Sequence, residues 1–332
     1  MTATYAIDFE TYYDKEVSIT TAGAYAYLRD PACEIYMVSI VGPDYEYVGS
    51  PKAADWARIA DARWVAHNYS FDGMVVEKLR EDGVIPDAVR PSDWNCTANL
   101  SVYNHAPRNL GGAAKQLLGL DLDKGMRSWM KGRTWQEAVA GGKAEALMEY
   151  ALLDSRACIA IWDKYAGEWP EMEQWYSRHT ISMGWRGVPT DMAMLETSIA
   201  KLQQAKWYAQ TNMPFYTSGA KGLSFPAFHK CCRDAGILPP ASTAKDDPEC
   251  AIWEAKHSDI PWVRHMRDWR RANVALARLL KMRDRTRADG TCPFNFKYYG
   301  GHTGRWAGDT GLNLQNQNRD VLVYDGDSGF TE

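Results

Sequence analysis

A chain of 332 residues is too long for one ordinary hydrophobic core and predicts two domains of about 100–200 residues each. Hydrophobic residues make up 45% of it and charged residues 24%, which excludes a disordered chain and indicates a folded one. The net charge of −4 gives no global attraction to nucleic acid, so any such binding must come from local basic patches.

The seven cysteines argue against a zinc site or a disulfide scaffold, because their number is odd and no two have C-x-x-C spacing. Such cysteine usage is typical of a reducing cytoplasm. The N-terminus enters a strand without an apolar signal region, and no apolar run is long enough to span a bilayer. We therefore expect a cytoplasmic protein with no membrane partner.

The first predicted strand, residues 5–11, carries two acids on one face. Side chains alternate along a strand, so Asp8 and Glu10 share a face while the opposite face is apolar and aromatic. Burying unpaired charge costs roughly several kcal/mol, so such carboxylates usually hold a metal or another cation. A strand end whose acids point into solvent is the alternative.

A mixed sheet is predicted from further strands at 34–42, 45–48 and 64–67. The segment Asn68-Tyr69-Ser70-Phe71-Asp72 then leads into a helix. Ser70 is its predicted N-cap, which places Asp72 in the first helical turn. An acid there also has a structural explanation, because it complements the helix dipole.

A long helix is predicted over about residues 143–165. One of its faces is apolar except for Tyr150 and Asp154, which lie four residues apart and so one turn above the other. An acid on an apolar stripe is not typical of a solvated helix face. A Tyr–Asp hydrogen bond that closes a core is the alternative to a functional pair.

Three segments thus offer inward-facing carboxylates, from Asp8, Glu10, Asp72 and Asp154. Their convergence would require counter-charge, and divalent cations supply it. Hard oxygen ligands favour Mg²⁺ or Mn²⁺, and no His/Cys cluster competes for a softer metal. Two such ions roughly 4 Å apart can activate a water and stabilise the leaving oxygen of a phosphodiester.

These segments resemble the motifs of the DnaQ-like 3′–5′ exonuclease superfamily, in its tyrosine-containing DEDD subclass. Asp8-Phe9-Glu10-Thr11 is similar to the first motif, Asn68-Tyr69-Ser70-Phe71-Asp72 to the second and Tyr150-Ala151-Leu152-Leu153-Asp154 to the third. Each motif is weak alone, but their order and their strand, helix-start and helix contexts make the set specific. The resemblance implies an α/β, RNase H-like/DnaQ-like exonuclease domain over residues 1–170, with a mixed central sheet and flanking helices.

The resemblance also implies a role for each matching position. Asp8, Glu10 and Asp154 would bind the catalytic metal, with Asp8 bridging to a second ion that Asp72 holds. Tyr150 would orient the attacking water. The remaining motif residues would contact the terminal nucleotides of the substrate, and these are Thr11, Asn68 and Phe71.

The segment 171–290 is predicted to be a mainly helical, thumb-like DNA-binding region. Met183–Asp191 resembles the turn that opens the thumb of family A (DNA polymerase I-like) polymerases of the phage type. The helical run Trp262–Arg287 carries nine basic residues against Asp268 and Asp284, with apolar residues interleaved. One face could then pack while the other meets phosphate, although a solvated face is the usual explanation of a charge run.

Residues 291–332 are predicted to be a partial palm-like segment. Thr303-Gly304-Arg305 and Asn313-Leu314-Gln315-Asn316 resemble the family A Thr-Gly-Arg … Asn-Leu-Gln-Asn pattern. The resemblance implies contacts with the primer–template duplex through Arg305, Asn313, Gln315 and Asn316. Polymerisation also needs a second pair of metal-binding acids and a fingers helix, and neither follows. The closing segment from Asp327 has only the acid spacing of the first polymerase motif.

The sequence therefore predicts a 3′–5′ exodeoxyribonuclease that uses two Mg²⁺ or Mn²⁺ ions and releases nucleoside 5′-monophosphates. Its partners would be single-stranded DNA 3′ ends and primer–template DNA, in a host cytoplasm if the chain is phage-encoded. Three alternatives stay open. They are the proofreading half of a split polymerase that needs a separate polymerase chain, a non-catalytic DNA-binding subunit, and a ribonuclease of the same superfamily.

Overall fold

A computed structural model describes residues 2–123, 125–216, 224–244, 247–301, 303–309, 312–316, 323–325 and 329–331. The chain divides into two compact units. The first contains the residues up to Pro189 together with Arg287–Asn316, and the second contains Thr190–Thr286 with the described residues after Asn316. The assignment of exonuclease, thumb-like and palm-like roles to segments of the chain stays a prediction.

The first unit is built on a five-stranded mixed sheet. Its strands are β1 (Thr4–Thr11), β2 (Ile35–Val41), β3 (Glu46–Gly49), β4 (Arg63–Ala66) and β5 (Asp93–Cys96), in the spatial order β3-β2-β1-β4-β5. The first three strands pair antiparallel, and β4 and β5 run parallel to β1. The predicted α/β class with a mixed sheet is therefore confirmed. The sequence patterns missed β5, because its polar start and its short length hide the strand period.

Helices cover the sheet and fill its connections. They are α1 (Ile19–Ala22), α2 (Ala24–Tyr27), α3 (Tyr69–Glu81), α4 (Thr97–Tyr103), α5 (Leu110–Leu118), α6 (Gly125–Met130), α7 (Trp135–Ala140), α8 (Ala144–Tyr165) and α9 (Glu171–Arg186). Helix α5 ends at Gly119, which takes the left-handed conformation at the C-cap. Two short 3₁₀ turns, Pro51–Ala53 and Trp56–Ile59, follow β3.

The two faces of β1 belong to different cores, as the alternation of its side chains predicts. Tyr5, Ile7 and Phe9 pack with residues of β4 and α3. Ala6, on the opposite face, packs with α5 and α8. Asp8 and Glu10 lie on this second face, so the strand itself directs both acids toward α8.

The last part of the first unit returns to α9 through short strand pairs. Strand β6 (Val188–Pro189) pairs with β7 (Thr291–Cys292), and β8 (Phe296–Lys297) pairs with β9 (Ala307–Gly308). A 3₁₀ turn, Leu314–Asn316, follows. The segment from Met183, predicted to resemble the thumb-opening turn of family A polymerases, thus consists of the last turn of α9 and the short strand β6. Gly187 makes the bend between them with φ of 77°.

Gly184 permits the contact between α9 and this returning segment. The Phe294 amide donates to the Gly184 carbonyl at 3.1 Å, and a Cβ at position 184 would lie 2.3 Å from the Phe294 carbonyl oxygen. We expect Gly184→Ala to destabilise the fold by about 1–3 kcal/mol, because a backbone oxygen cannot move aside as a side chain can. Urea unfolding measures this change. Gly167→Ala is the matched control, since nothing lies within 4 Å of a Cβ there, and an equal effect in both variants would contradict the explanation.

The second unit is mainly helical. It contains α10 (Met192–Thr211), α11 (Phe225–Asp234), α12 (Pro248–Lys256), α13 (Pro261–Arg285) and the strand pair β10 (Val323–Asp325) and β11 (Gly329–Thr331). Helices α10 and α13 pack through Leu195, Ile199 and Leu276. Among the helices of the described residues, none combines the length and the apolar composition that a membrane span requires.

Candidate active site

A cavity of about 800 Å³ in the first unit holds the predicted catalytic residues. Its walls come from the end of β1, the start of α3, the middle of α8 and the β8–β9 hairpin. Every exonuclease-motif residue singled out from the sequence lines it: Asp8, Glu10, Thr11, Asn68, Phe71, Asp72, Tyr150 and Asp154. Residues from three distant segments therefore converge.

Strand β2 fixes the position of the β1 acids relative to α8. Asp8 pairs in register with Ser39, and Glu10 with Met37. The buried Ser39 hydroxyl lies 2.9 Å from the Ala151 carbonyl and 2.6 Å from the Ser155 hydroxyl, both on α8. These bonds attach α8 to the sheet, one on each side of Asp154 in the helix sequence.

Asp72 enters the cavity from the first turn of α3, and only 2% of its surface is exposed. Its carboxylate accepts a hydrogen bond from the Phe9 amide of β1 at 3.4 Å. The helix begins at Tyr69 with Asn68 at the N-cap, so the predicted N-cap at Ser70 is wrong. Ser70 instead donates to the Asn295 side chain at 3.1 Å, and its carbonyl accepts from the Trp185 indole at 3.1 Å. The start of α3 is thereby attached to α9 and to the returning segment.

Tyr150 and Asp154 stand one turn apart on α8, as their spacing predicts. The phenol of Tyr150 interacts with the Asp154 carboxylate. Below them Leu147 and Ala151 are fully buried and pack with Met130 and Met37. Burial, with the negative charge of Asp154 next, raises the pKa of Tyr150, so the phenol stays neutral and can donate a hydrogen bond.

The electrostatics of the cavity reflect carboxylates brought together away from bulk water. Burial raises the pKa of Asp8 well above its ordinary value, and Asp72, Glu10 and Asp154 raise it further. Burial and Asp154 raise the pKa of Glu10 to about 8, and burial raises that of Asp72 to about 7 against backbone hydrogen bonds that lower it. Asp8 and Glu10 are thus harder to ionise partly because other carboxylates lie near them.

The donor chemistry of the cavity suits a hard divalent cation, since the four acids offer only oxygen ligands. In the described parts of the chain, however, no three His, Cys, Asp or Glu side chains already form a compact group able to hold a metal ion. Binding would therefore require the carboxylates to turn toward the ion. The ligand types fit such a cation, and the arrangement as it stands is not a finished coordination shell.

Sequence patterns missed several basic residues of the same cavity. Arg108 donates to the Asn99 side chain at 2.7 Å and to the Tyr298 carbonyl, and Lys297 pairs with Asp309 at 3.1 Å. Arg127, from the short helix α6, also lines the cavity, and its charge lowers the pKa of Asp8 and Glu10. No periodicity or motif marked these positions, because each is a single cation in a segment of mixed composition.

The predicted DNA contacts of the last segment do not line the acid cavity. Arg305 and Gln315 are exposed, and the Asn313 side chain accepts from the Gln315 amide at 3.0 Å. Asn316 ends the 3₁₀ turn. Their duplex-binding role stays a prediction. The acid spacing noted from Asp327 falls outside the described residues.

Several arginines of the basic helix α13 interact with acidic residues of the second unit itself. Asp268 is buried, and Arg264 and Arg267 approach its carboxylate at 3.9 Å and 3.8 Å. Arg270 pairs with Glu254 of α12. A contact with phosphate by α13 would therefore have to come mainly from its other cations.

Comparison with known proteins supplies a fold and no family. No protein-family model matches the chain, and no curated protein matches it. Among solved structures it resembles the POL domain of Pol1 from M. smegmatis in complex with DNA primer-template and dNTP, with a TM-score of 0.58 and 15% sequence identity. The chain has a DNA polymerase-like fold. The match covers 96% of this chain and 53% of that one, so the chain spans about half the length of its neighbour.

Proposed function

We propose that the protein is a metal-dependent 3′–5′ exonuclease that hydrolyses DNA to nucleoside 5′-monophosphates, and that its first unit is an RNase H-like/DnaQ-like exonuclease domain. The observation that carries the proposal is the convergence of Asp8, Glu10, Asp72 and Asp154 in one cavity with Tyr150 beside them. Four neighbouring carboxylates serve no structural purpose that an apolar core would not serve better.

In this proposal Asp8, Glu10 and Asp154 would hold one Mg²⁺ or Mn²⁺ ion, and Asp72 together with Asp8 would hold a second. Such ions would supply positive charge beside a scissile phosphate. The protein's own contribution is positional. Tyr150 keeps its proton because burial and the charge of Asp154 raise its pKa, and the phenol lies beside the acids, where it can orient a water molecule.

DNA is favoured as the substrate because the chain has a polymerase-like fold and its neighbour Pol1 was solved with DNA. Thr11, Asn68 and Phe71 line the cavity and would contact the terminal nucleotides. Thr11 is held in place by the phenol of Tyr27 at 2.8 Å. We propose single-stranded 3′ ends and primer–template DNA as partners, and a proofreading role in replication. A separate polymerase chain stays a prediction.

Digestion of end-labelled nucleic acid tests the proposal. We expect 5′-labelled single-stranded DNA to be shortened stepwise from its 3′ end with Mg²⁺ or Mn²⁺, and to stay intact with EDTA. DNA labelled at the 3′ end should release labelled nucleoside 5′-monophosphate at once. Binding of DNA without metal-dependent cleavage would favour the non-catalytic DNA-binding subunit instead. Faster digestion of RNA than of DNA would favour the ribonuclease.

Tyr150→Phe tests the role of the phenol. We expect kcat for digestion of single-stranded DNA to fall about 10- to 100-fold with little change in KM, because the phenol orients water and not the nucleotide. Tyr165→Phe is the matched control on the same helix, since the Tyr165 phenol bonds the Leu117 carbonyl away from the cavity. An unchanged kcat for Tyr150→Phe would remove the residue from the mechanism.

A further inference from the structure

Arg127 is held at the acid cavity by contacts of its own segment. The Tyr13 phenol, just after β1, donates to the Arg127 carbonyl at 2.6 Å, and the Gly132 amide donates to the Tyr13 carbonyl at 2.8 Å. Three residues after Arg127, the buried Met130 packs in a cluster that includes Tyr150. Helix α6 is therefore attached both to the end of β1 and to the helix that carries Asp154.

The side chain of Arg127 faces the acids without being tied to one of them. Its guanidinium interacts with Tyr150, Tyr13 and Glu10, yet in the described residues it forms no ion pair within 4.0 Å. The other large cations of the cavity are engaged, Arg108 by Asn99 and Lys297 by Asp309. Arg127 thus brings positive charge to the cavity and keeps hydrogen-bond donors for a ligand.

We propose that Arg127 binds the phosphodiester of the 3′-terminal nucleotide in the acid cavity, an inference that rests on the proposed function. A phosphate entering a site of four carboxylates meets like charge, so a cation on the cavity wall lowers the cost of entry. The planar guanidinium places two N–H groups against two phosphate oxygens, which an ammonium group does not. Arg127 would be a substrate-binding residue, and one that no motif identifies.

Equilibrium binding separates this role from catalysis. The probe is a short 5′-fluorescent oligothymidylate, and its Kd is measured by anisotropy with Ca²⁺ and again with EDTA. We expect Arg127→Met to raise the Kd about 10- to 100-fold, as for loss of a charge-assisted hydrogen bond. Arg127→Lys should restore part of the affinity, since it keeps the charge and loses the paired geometry.

Arg133→Met is the matched control. Arg133 belongs to the same segment but stacks on the Trp129 ring, with its guanidinium 4.7 Å from the ring centre, and does not line the cavity. Its loss should leave the Kd unchanged. Thermal melts of all variants confirm folding, and Arg127→Lys keeps the test valid if the methionine variant fails to fold. In steady state, Arg127→Met should raise KM more than it lowers kcat.

Wild-type affinity in a folded Arg127→Met variant would overturn the inference, as would equal losses in the Arg127 and Arg133 variants or wild-type affinity in Arg127→Lys. The proposed function can fail separately. If the oligothymidylate binds in an Arg127-dependent way but no nucleotide is released with any metal, the exonuclease assignment is wrong and the phosphate-binding role stands. Normal hydrolysis with Arg127-independent binding would instead support the exonuclease and overturn the role of Arg127.

Discussion

Replacing Asp8 and Glu10 together by alanine should lower metal-dependent release of nucleotides from single-stranded DNA by roughly 1,000-fold or more. The expected loss is large because both carboxylates would hold the cation, and an ion that stabilises charge in the transition state contributes several kcal/mol at about 1.4 kcal/mol per factor of ten. Single-turnover digestion of 5′-labelled DNA measures the rate without interference from product release.

The same double variant should keep its fold. Glu10 raises the pKa of Asp8, and Asp154 and Asp72 raise the pKa of both, so removing the two carboxylates relieves repulsion and leaves the apolar face of β1 intact. Glu145→Ala with Glu171→Ala is the matched control, since both acids are exposed and lie outside the cavity. Wild-type digestion by the Asp8/Glu10 variant, or equal losses in both double variants, would contradict the assigned chemistry.

The stability of the metal-free protein should fall as pH rises from about 4.5 to about 8. The pKa of Glu10 is raised from 4.5 to about 8 and that of Asp72 from 3.8 to about 7, chiefly by burial. Within this window the folded chain binds more protons than the unfolded chain, so raising the pH favours unfolding. Differential scanning fluorimetry in EDTA measures the change as a fall in Tm.

Mn²⁺ should reverse this trend. A cation that binds ionised carboxylates stabilises the folded state more where those groups must otherwise carry unpaired charge, so the rise in Tm should be larger at about pH 8 than at about pH 5. Asp8→Asn with Glu10→Gln should flatten both effects while keeping the side-chain shapes. A metal-free Tm that climbs toward pH 8, or a Mn²⁺ effect unchanged in that variant, would contradict the site.

The local elements of the site could be predicted because each has a strong short-range pattern. The alternation in β1 placed Asp8 and Glu10 on one face, and the helical period placed Tyr150 above Asp154. Both expectations are confirmed, because burial of the neighbouring apolar residues fixes the orientation of the strand and of the helix, and with it the side on which these side chains lie. The mixed sheet followed from the same reasoning.

Features that depend on contacts between distant segments could not be predicted. Arg127 is positioned at the cavity partly by the bond from the Tyr13 phenol to its carbonyl, and these residues are 114 positions apart. Ser70 was the predicted N-cap, yet its hydroxyl donates to the Asn295 side chain instead, and the helix starts two residues earlier than predicted. The many basic residues of α13 predicted a phosphate-binding face. Two of its arginines, however, lie near the carboxylate of the buried Asp268.

Equilibrium binding of Mn²⁺ to the full chain, followed by electron paramagnetic resonance, tests most directly whether the four carboxylates act together as a cation site. We expect two ions per wild-type chain, with binding weakened in Asp8→Ala and in Asp154→Ala and unaffected in Glu145→Ala. Absence of specific Mn²⁺ binding, or binding that is indifferent to loss of Asp8 and Asp154, would contradict a shared cation site.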